Sequence, residues 1–366
     1  MRVAIDAGPL YGHRTGVGLA AAGCIDALGR RDDVELVPYL VSGRATPLPG
    51  HRRLPVPGIV ASHLWSRLDR PRADRWLDGA ELVHGTNYVA PPTAVPAVVS
   101  VYDCWFLRHP ELASPLVRRA GANLRRAVAR GAWIHASSER TAAAVRELLA
   151  TERVRTVPLG PPPALDDATA APRDDLRGSR FVLTVGTEER RKDIPFLVDA
   201  FAELRQRHVD LRLVLAGASG DDTDRVTASI ARLPDPETVV RLGTIDDAAK
   251  SWLYRNAAVL AYPSIDEGFG FPVLEAQAAG TPVVATAVGS IPEIAGDGAV
   301  LVDDPARAAV VLADAIDEVL GGSRRLGLIE AGYRNVRRFD WDATAAGLVD
   351  LYRTAAESSA ATPSAS

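Results

Sequence analysis

The chain has 366 residues, of which 47% are hydrophobic and 24% are charged, and its formal net charge is −4. This length and balance predict a folded protein of two domains, and no nucleic-acid partner is expected. The two cysteines, Cys24 and Cys104, are too few for a metal cluster or a disulfide framework, so we expect both to line the core.

No stretch approaches the roughly 18 consecutive apolar residues that a membrane span requires. The amino-terminal segment "MRVAID" indicates a buried strand and has no signal-peptide architecture, which predicts a cytoplasmic protein. Residues 1–160 hold 21 Lys+Arg and 14 Asp+Glu, whereas residues 161–366 hold 21 and 32. Lys192 and Lys250 are the only lysines among the 42 basic residues, so each lysine is expected to have a specific role.

Short apolar runs alternate with amphipathic helical segments along the chain. In order, the runs are RVAID, VELVPYLV, AELVHG, AVVSVYD, WIHASS, RFVLTVG, LRLVLAG, TVVRLG, AAVLAYPS, TPVVATA and AVLVDD. This alternation predicts an α/β fold with parallel sheets. Residues 157–179, rich in Pro, Asp and Ala, predict a linker between two Rossmann-like, doubly wound domains that face each other across a cleft.

Residues 114–133, "SPLVRRAGANLRRAVARGAW", interleave arginines with apolar residues. One interpretation is a basic amphipathic helix that rests on anionic lipid, and the other is an ordinary arginine-rich surface helix. The arginines are Arg118, Arg119, Arg125, Arg126 and Arg130. The carboxyl-terminal "SSAATPSAS" predicts a disordered tail over residues 358–366.

Acidic pairs occur in three turn-like segments of the second half. They are Asp221 and Asp222, Asp246 and Asp247, and Asp303 and Asp304. Aspartates are common in solvated turns, so we predict no metal site.

The segment "DEGFGFPVLEAQAAGTPVV", residues 266–284, carries two glutamates in a glycine-rich context. Pro272 predicts the start of a helix with Glu275 in its first turn. Such a helix end, with Gly268 and Gly270 before it, favours phosphate binding. Carboxylates there would accept hydrogen bonds from sugar hydroxyls. The alternative, in which neither residue binds a ligand, is that Glu275 complements the helix dipole and Glu267 is a solvated loop residue.

These residues resemble the Glu-x7-Glu motif of the retaining family 4 glycosyltransferases, which have the GT-B fold. The resemblance implies that Glu267 contacts the donor sugar, that the loop from Gly268 through Phe269 and Gly270 to Phe271 contacts sugar and diphosphate, and that Glu275 holds the ribose. "VGTEERRKD", residues 185–193, is similar to the family's phosphate segment. There Gly186, Arg191 and Lys192 would bind the diphosphate. "VLAGASG" and "RLGTIDD" resemble the loops around the nucleobase, which implies backbone contacts at Gly217 and Gly243.

The first half resembles the same family more sparsely. "DAGPLYGHRTGVG" is similar to its glycine loop, which implies that Gly16 and Gly18 approach the diphosphate. In "VSVYDCWFLRHPE" Tyr102 stands where the family has a histidine near the donor sugar, and Asp103 is retained. His84, Asn87 and His109 are the candidate residues on the acceptor side. The resemblance also implies that residues 1–160 bind the acceptor, that residues 161–339 bind the nucleotide sugar, and that a helix over residues 340–357 packs back onto the first domain.

The resemblance implies a retaining hexosyltransferase that takes a sugar, with mannose as the suggestion, from a nucleoside-diphosphate-sugar donor without metal or other cofactor. The acceptor hydroxyl would belong to a glycan, a lipid-linked molecule or a small molecule, and the protein could lie at the inner face of the plasma membrane. Two alternatives remain open. "GVGLAA" satisfies the dinucleotide fingerprint of an NAD-dependent oxidoreductase, although Gly16 lies ten residues after Asp6, at the end of the first predicted strand. The second alternative is a non-catalytic protein that binds sugar nucleotides.

Overall fold

The computed structural model describes residues 1–11, 16–162, 173–304 and 306–360. The chain divides into two compact units, one of residues 1–160 with 339–366 and one of residues 161–338. Residues 163–172 of the predicted linker and 361–366 of the predicted tail lie outside the described residues. Residues 358–360 continue the last helix, so the prediction that disorder begins at residue 358 is wrong.

The first unit contains one parallel sheet of seven strands in the order β3-β2-β1-β4-β5-β6-β7. The strands are β1 (Arg2–Asp6), β2 (Glu35–Val41), β3 (Arg52–Leu54), β4 (Leu82–Gly85), β5 (Ala97–Val101), β6 (Trp133–Ala136) and β7 (Val154–Thr156). The first five helices are α1 (Gly16–Gly29), α2 (Gly58–Trp65), α3 (Trp105–Arg108), α4 (Pro115–Ala129) and α5 (Glu139–Leu149). The strand order reverses between β1 and β4, as in doubly wound folds.

The second unit contains a parallel sheet of six strands in the order β10-β9-β8-β11-β12-β13. They are β8 (Phe181–Val185), β9 (Arg212–Ala216), β10 (Val239–Gly243), β11 (Val259–Tyr262), β12 (Val283–Thr286) and β13 (Ala299–Val302). The helices are α6 (Ile194–Arg205), α7 (Thr223–Ile230), α8 (Asp247–Asn256), α9 (Phe271–Ala278), α10 (Ile291–Ala295), α11 (Ala309–Leu320) and α12 (Arg325–Val336). The two sheets confirm the predicted α/β, doubly wound parallel-sheet class.

Both faces of the second sheet are covered by apolar side chains. Along β8, Val182 belongs to one buried cluster, whereas its neighbours Phe181 and Leu183 belong to the other. Because successive strand residues point to opposite faces, a strand covered on both sides needs a continuous apolar run. The burial of FVLTV follows from this requirement, and the arrangement leaves the carboxyl ends of the strands for polar groups.

The last helix, α13 (Trp341–Ala360), belongs to the first unit. The Thr344 hydroxyl donates to the carbonyl oxygen of Pro158 at 2.8 Å, and Leu348 and Leu351 are fully buried. A Cβ on either Gly23 or Gly160 would lie 2.2 Å from the Trp341 ring. These two glycines therefore allow the indole to pack between α1 and the end of the first chain segment.

Candidate functional site

The loop between β11 and α9 holds Glu267 and ends at Gly270. Gly270 has a φ of +95°, in the left-handed region that favours glycine. A Cβ at this position would lie 2.8 Å from the Ile291 side chain. The glycine therefore lets the chain turn sharply into the first residue of α9.

The Glu267 carboxylate is surrounded by two cations and a tyrosine. Arg191 Nη1 lies 3.1 Å from Oε1 and 3.0 Å from Oε2. The Tyr262 hydroxyl donates to Oε2 at 2.6 Å, and the Lys192 ammonium donates to the same oxygen. The Glu267 side chain is 10% exposed, so the alternative of a solvated loop glutamate is wrong.

The cations control the ionisation of this carboxyl. Burial by itself would raise the pKa of Glu267, but the charges of Lys192 and Arg191, with hydrogen bonds from Lys192 and Tyr262, lower it from 4.5 to about 2. Burial lowers the pKa of the Lys192 ammonium, and the Glu267 charge opposes that shift. The two buried charges therefore stabilise each other.

The backbone of Glu267 is fixed by the segment that follows β12. The backbone N–H and the hydroxyl of Ser290 both donate to the Glu267 carbonyl oxygen, at 2.8 Å and 3.1 Å. Gly289 has a φ of +54°, and a Cβ there would lie 2.2 Å from the same oxygen. Sequence reasoning missed Tyr262, Gly289 and Ser290. The signal available for the last two was the Gly-Ser pair in "AVGSIPE".

Glu275 lies on α9 and makes contacts with α8. Its side chain is 5% exposed, and Lys250 Nζ lies 3.0 Å from Oε1. The Tyr254 hydroxyl donates to Oε2 at 2.7 Å. Glu275 is the fifth residue of α9, which begins at Phe271, so its predicted position in the first turn is wrong. These partners, rather than the helix dipole, hold the carboxylate. The ion pair with Glu275 also gives Lys250, the second of the two lysines, a specific role.

Three predicted glycines meet at the carboxyl ends of adjacent strands. Gly186 follows β8 and donates to the Ala216 carbonyl oxygen at 2.9 Å, and Gly217 follows β9 and donates to the Gly243 carbonyl oxygen at 2.9 Å. A Cβ on Gly217 would lie 1.9 Å from the Gly186 carbonyl oxygen. The backbone of these strand ends therefore lies close together, and contact of Gly217 and Gly243 with a nucleobase stays a prediction.

The predicted residues of the first unit lie on several separate elements. Gly16 and Gly18 are in the first turn of α1, and residues 12–15 of their loop lie outside the described residues. Tyr102 is buried, and burial raises the pKa of its hydroxyl well above the ordinary value. Asp103 accepts hydrogen bonds from the Tyr88 hydroxyl at 3.2 Å and the Trp105 N–H at 3.1 Å. A place for Tyr102 and Asp103 beside the donor sugar stays a prediction.

The candidate acceptor-side residues differ in exposure. Both ring nitrogens of the fully buried His84 are engaged, Nδ1 with the Tyr352 hydroxyl at 2.7 Å and Nε2 with the Ser100 hydroxyl at 2.8 Å. This arrangement ties α13 to the sheet and corrects the assignment of His84 to an acceptor contact. Asn87 is exposed after β4. His109 is 39% exposed and packs on the Trp105 ring.

The arginine-rich segment is shorter as a helix than predicted. Helix α4 covers Pro115–Ala129, and its amino-terminal cap is the Ser114 side chain. Trp133 already belongs to β6, so a helix that extends to residue 133 is wrong. Arg126 and Arg130 both pair with Asp69, at 3.1 Å and 2.8 Å.

The acidic pairs of the second half serve local structure. Asp246 caps α8 by accepting from the Ala249 N–H at 2.7 Å, Asp221 accepts from the Arg190 N–H at 3.0 Å, and Asp304 accepts from two backbone N–H groups. Across residues 1–11, 16–162, 173–304 and 306–360, His, Cys, Asp and Glu side chains form no group of three or more that could hold a metal ion. No helix in these same ranges is long and apolar enough to cross a membrane.

Comparison with protein families gives a match over the second unit. The family described as Glycosyl transferases group 1 matches residues 171–334. The chain is 36% identical over 183 residues to the D-inositol 3-phosphate glycosyltransferase of Corynebacterium aurimucosum, covering 48% of this chain and 44% of that protein. It is 31% identical over 349 residues to the phosphatidyl-myo-inositol mannosyltransferase of Mycobacterium leprae, covering 89% and 86%. The chain thus spans less than half of the first relative and most of the second.

Two solved structures have the same architecture. WaaG, a glycosyltransferase involved in lipopolysaccharide biosynthesis, superposes with a TM-score of 0.75 at 17% identity, over 96% of this chain and 99% of that chain. Alr3699/HepE of Anabaena, in complex with UDP and glucose, gives a TM-score of 0.68 at 17% identity, over 97% and 100%. These likenesses confirm the predicted GT-B fold.

Proposed function

We propose that this chain, which belongs to the Glycosyl transferases group 1 family, transfers a sugar from a nucleoside-diphosphate-sugar donor to an acceptor hydroxyl with retention of anomeric configuration. The observation that carries the proposal is the Glu267 carboxylate between the Arg191 and Lys192 cations. The two cations would bind the diphosphate, Glu267 the donor sugar and Glu275 the ribose. Gly217 and Gly243 would lie along the nucleobase.

The chemical role of the cations follows from where charge develops. As the bond between the anomeric carbon and the phosphate oxygen breaks, negative charge accumulates on the leaving diphosphate. Arg191 and Lys192 would stabilise that charge through charge-assisted hydrogen bonds. We propose that the acceptor oxygen attacks from the face that the diphosphate leaves and that the acceptor proton passes to the departing phosphate oxygen. With two protein cations in this role, we propose transfer without a metal ion.

We propose mannose as the transferred sugar. The support is the M. leprae relative, a phosphatidyl-myo-inositol mannosyltransferase that aligns over most of its length. Guanine, uracil and thymine all remain candidate nucleobases, because the backbone at Gly217 and Gly243 can approach any of them. The acceptor hydroxyl would belong to a glycan, a lipid-linked molecule or a small molecule.

Helix α4 supports a further proposal, that the protein is cytoplasmic and contacts the inner face of the plasma membrane. Leu116 and Val117 are 56% and 39% exposed, and Arg118 and Arg125 on the same helix are exposed as well. Exposed apolar side chains beside arginines suit a surface of anionic lipid.

Sedimentation with vesicles that contain anionic phospholipid tests this contact. The double variant Arg118→Gln, Arg125→Gln should bind such vesicles several-fold more weakly than the parental chain. The double variant Arg334→Gln, Arg337→Gln, which makes the same charge change at exposed positions in the last turn of α12 and directly after it, should bind like the parental chain. Equal binding of the vesicles by all three proteins would contradict the proposed membrane contact of α4.

Nucleotide release from a panel of GDP-, UDP- and dTDP-sugars tests the proposed transfer. A donor present at a hundredfold its dissociation constant should also stabilise the fold by ~2.7 kcal/mol. Lys192→Met should fold and lose nucleotide release by about 10²-fold or more, as removal of one transition-state donor does elsewhere. NAD binding without turnover of any sugar nucleotide would favour the oxidoreductase, and donor binding without turnover would favour the non-catalytic protein.

A further inference from the structure

We infer that Glu267 discriminates the sugar-bearing donor from the bare nucleoside diphosphate, because it competes with the diphosphate for Arg191 and Lys192. The inference rests on the proposed function and adds to it a selectivity that the positions of the two cations alone do not imply. Its consequence is that Glu267 weakens binding of the product and helps to release it.

The cations that would hold the diphosphate are already paired in the structure. Arg191 Nη1 lies within 3.1 Å of both carboxylate oxygens of Glu267, and Arg191 Nε lies 2.8 Å from Glu189 Oε2. The Lys192 ammonium donates to Glu267 Oε2 and lies over the Tyr262 ring. A diphosphate that enters must therefore displace the Glu267 carboxylate from these cations or share them with it.

Displacement would leave Glu267 poorly compensated. The Glu267 side chain is 10% exposed. Once the two cations have turned away, its carboxylate keeps the hydrogen bond from the Tyr262 hydroxyl. Removing the partners of a buried charge is costly, since water does not replace them. While these partners are in place, they lower the pKa of Glu267 to about 2, so the group carries its full charge at neutral pH when the diphosphate arrives.

The donor and the product differ in what they offer this carboxylate. A sugar brings hydroxyl groups, which can donate hydrogen bonds to Glu267 when its cations turn to the diphosphate. A bare nucleoside diphosphate has hydroxyl groups only on its ribose, which we place at Glu275, and so brings none to Glu267. Its terminal phosphate also resembles a phosphate monoester, which carries about −1.5 to −2 charge at pH 7. The product therefore places more negative charge beside Glu267 and gives it no new partner.

The Glu267→Gln variant removes the charge and keeps the shape. Isothermal titration of the parental chain and the variant with GDP, UDP, GDP-mannose and UDP-glucose measures the selectivity. For the nucleotide that the parental chain binds, we expect the variant to bind the bare diphosphate about tenfold more tightly, which corresponds to about 1.4 kcal/mol. Its affinity for the sugar nucleotide should stay equal or fall.

Two further variants make the result specific. Glu189→Gln removes the same charge from the other carboxylate on Arg191, and it should change the two affinities in parallel. Tyr262→Phe keeps the Glu267 charge but deletes its neutral donor and an acceptor of the Lys192 ammonium, so the carboxylate and the ammonium depend more on each other. The bare diphosphate should then bind more weakly than to the parental chain. This variant tests the inference from the opposite direction should Glu267→Gln fail to fold.

The outcomes separate the inference from the proposed function. Unchanged or weaker binding of the bare diphosphate by a folded Glu267→Gln variant overturns the inference and leaves the proposed function standing. The same is true of tighter diphosphate binding by Tyr262→Phe. A parental chain that binds none of the four ligands and releases nucleotide from no sugar nucleotide of the GDP-, UDP- and dTDP-sugar panel overturns both. A selectivity change of equal size in Glu189→Gln would show general electrostatics and also overturn the inference.

Discussion

The ion pair between Lys250 and Glu275 supports a quantitative prediction for stability. The two side chains are 16% and 5% exposed, and their charged atoms lie 3.0 Å apart. Lys250→Met keeps much of the apolar stem and leaves the carboxylate with the Tyr254 hydroxyl, 2.7 Å away. Removing one member of a buried ion pair costs about 3–5 kcal/mol. We expect the free energy of unfolding of the second unit to fall by about that amount.

A double variant tests whether the buried charge is the cause. Lys250→Met combined with Glu275→Gln keeps an oxygen that can accept from Tyr254 but leaves no uncompensated charge. Because neutral groups often replace a buried pair without loss, the double variant should be about 2 kcal/mol more stable than Lys250→Met alone. Asp247→Asn, which alters the 98% exposed second partner of Lys250 at 3.4 Å, should change stability by less than about 0.5 kcal/mol.

Urea unfolding followed by far-UV circular dichroism near neutral pH measures all four proteins. The two units can unfold in separate transitions, so the shift should be confined to one of them. A loss below about 1 kcal/mol in Lys250→Met, or a double variant no more stable than Lys250→Met alone, would refute a buried, charge-compensated Glu275.

Two other substitutions have expected outcomes. Gly217→Ala would place a Cβ 1.9 Å from the backbone oxygen of Gly186, so titration calorimetry should show at least about tenfold weaker nucleotide binding. Gly327→Ala, whose Cβ meets no atom within 4 Å, should bind normally. Burial lowers the pKa of His135 from 6.5 to about 4. As the pH falls, His135 therefore binds a proton in the unfolded chain before it does so in the folded chain. The folded state loses stability between pH 6.5 and pH 4 for this reason. At pH 5 this loss is about 2 kcal/mol, and a folded His135→Gln variant should lack it. If urea unfolding gives the same pH dependence of the free energy of unfolding for both proteins, the lowered pKa of His135 is contradicted.

Long apolar runs predicted the sheets because most strands are buried on both faces. The two strands that the sequence did not predict, Arg52–Leu54 and Val154–Thr156, are three residues each and form the two edges of the seven-stranded sheet. An edge strand has a neighbour on one side only and does not need a continuous apolar sequence. Such short, polar segments give no periodic signal.

The candidate site was predictable where its residues share one local segment. Glu267 and Glu275 stand in a single motif, and Arg191 and Lys192 in another, so the resemblance of these two motifs to a known family was enough to propose them as a site. The side chains that hold Glu275 come from α8, and the groups that fix the Glu267 backbone come from the turn after β12. Their proximity depends on how helices and strands pack, which no single segment of sequence contains.

A crystal structure of the parental chain with a bound sugar nucleotide tests the central claim most directly. The account predicts diphosphate oxygens within hydrogen-bonding distance of Arg191 and Lys192, with the sugar at Glu267 and the ribose hydroxyls at Glu275. An ordered sugar nucleotide bound elsewhere, with Arg191 and Lys192 still paired to Glu267 alone, would contradict it.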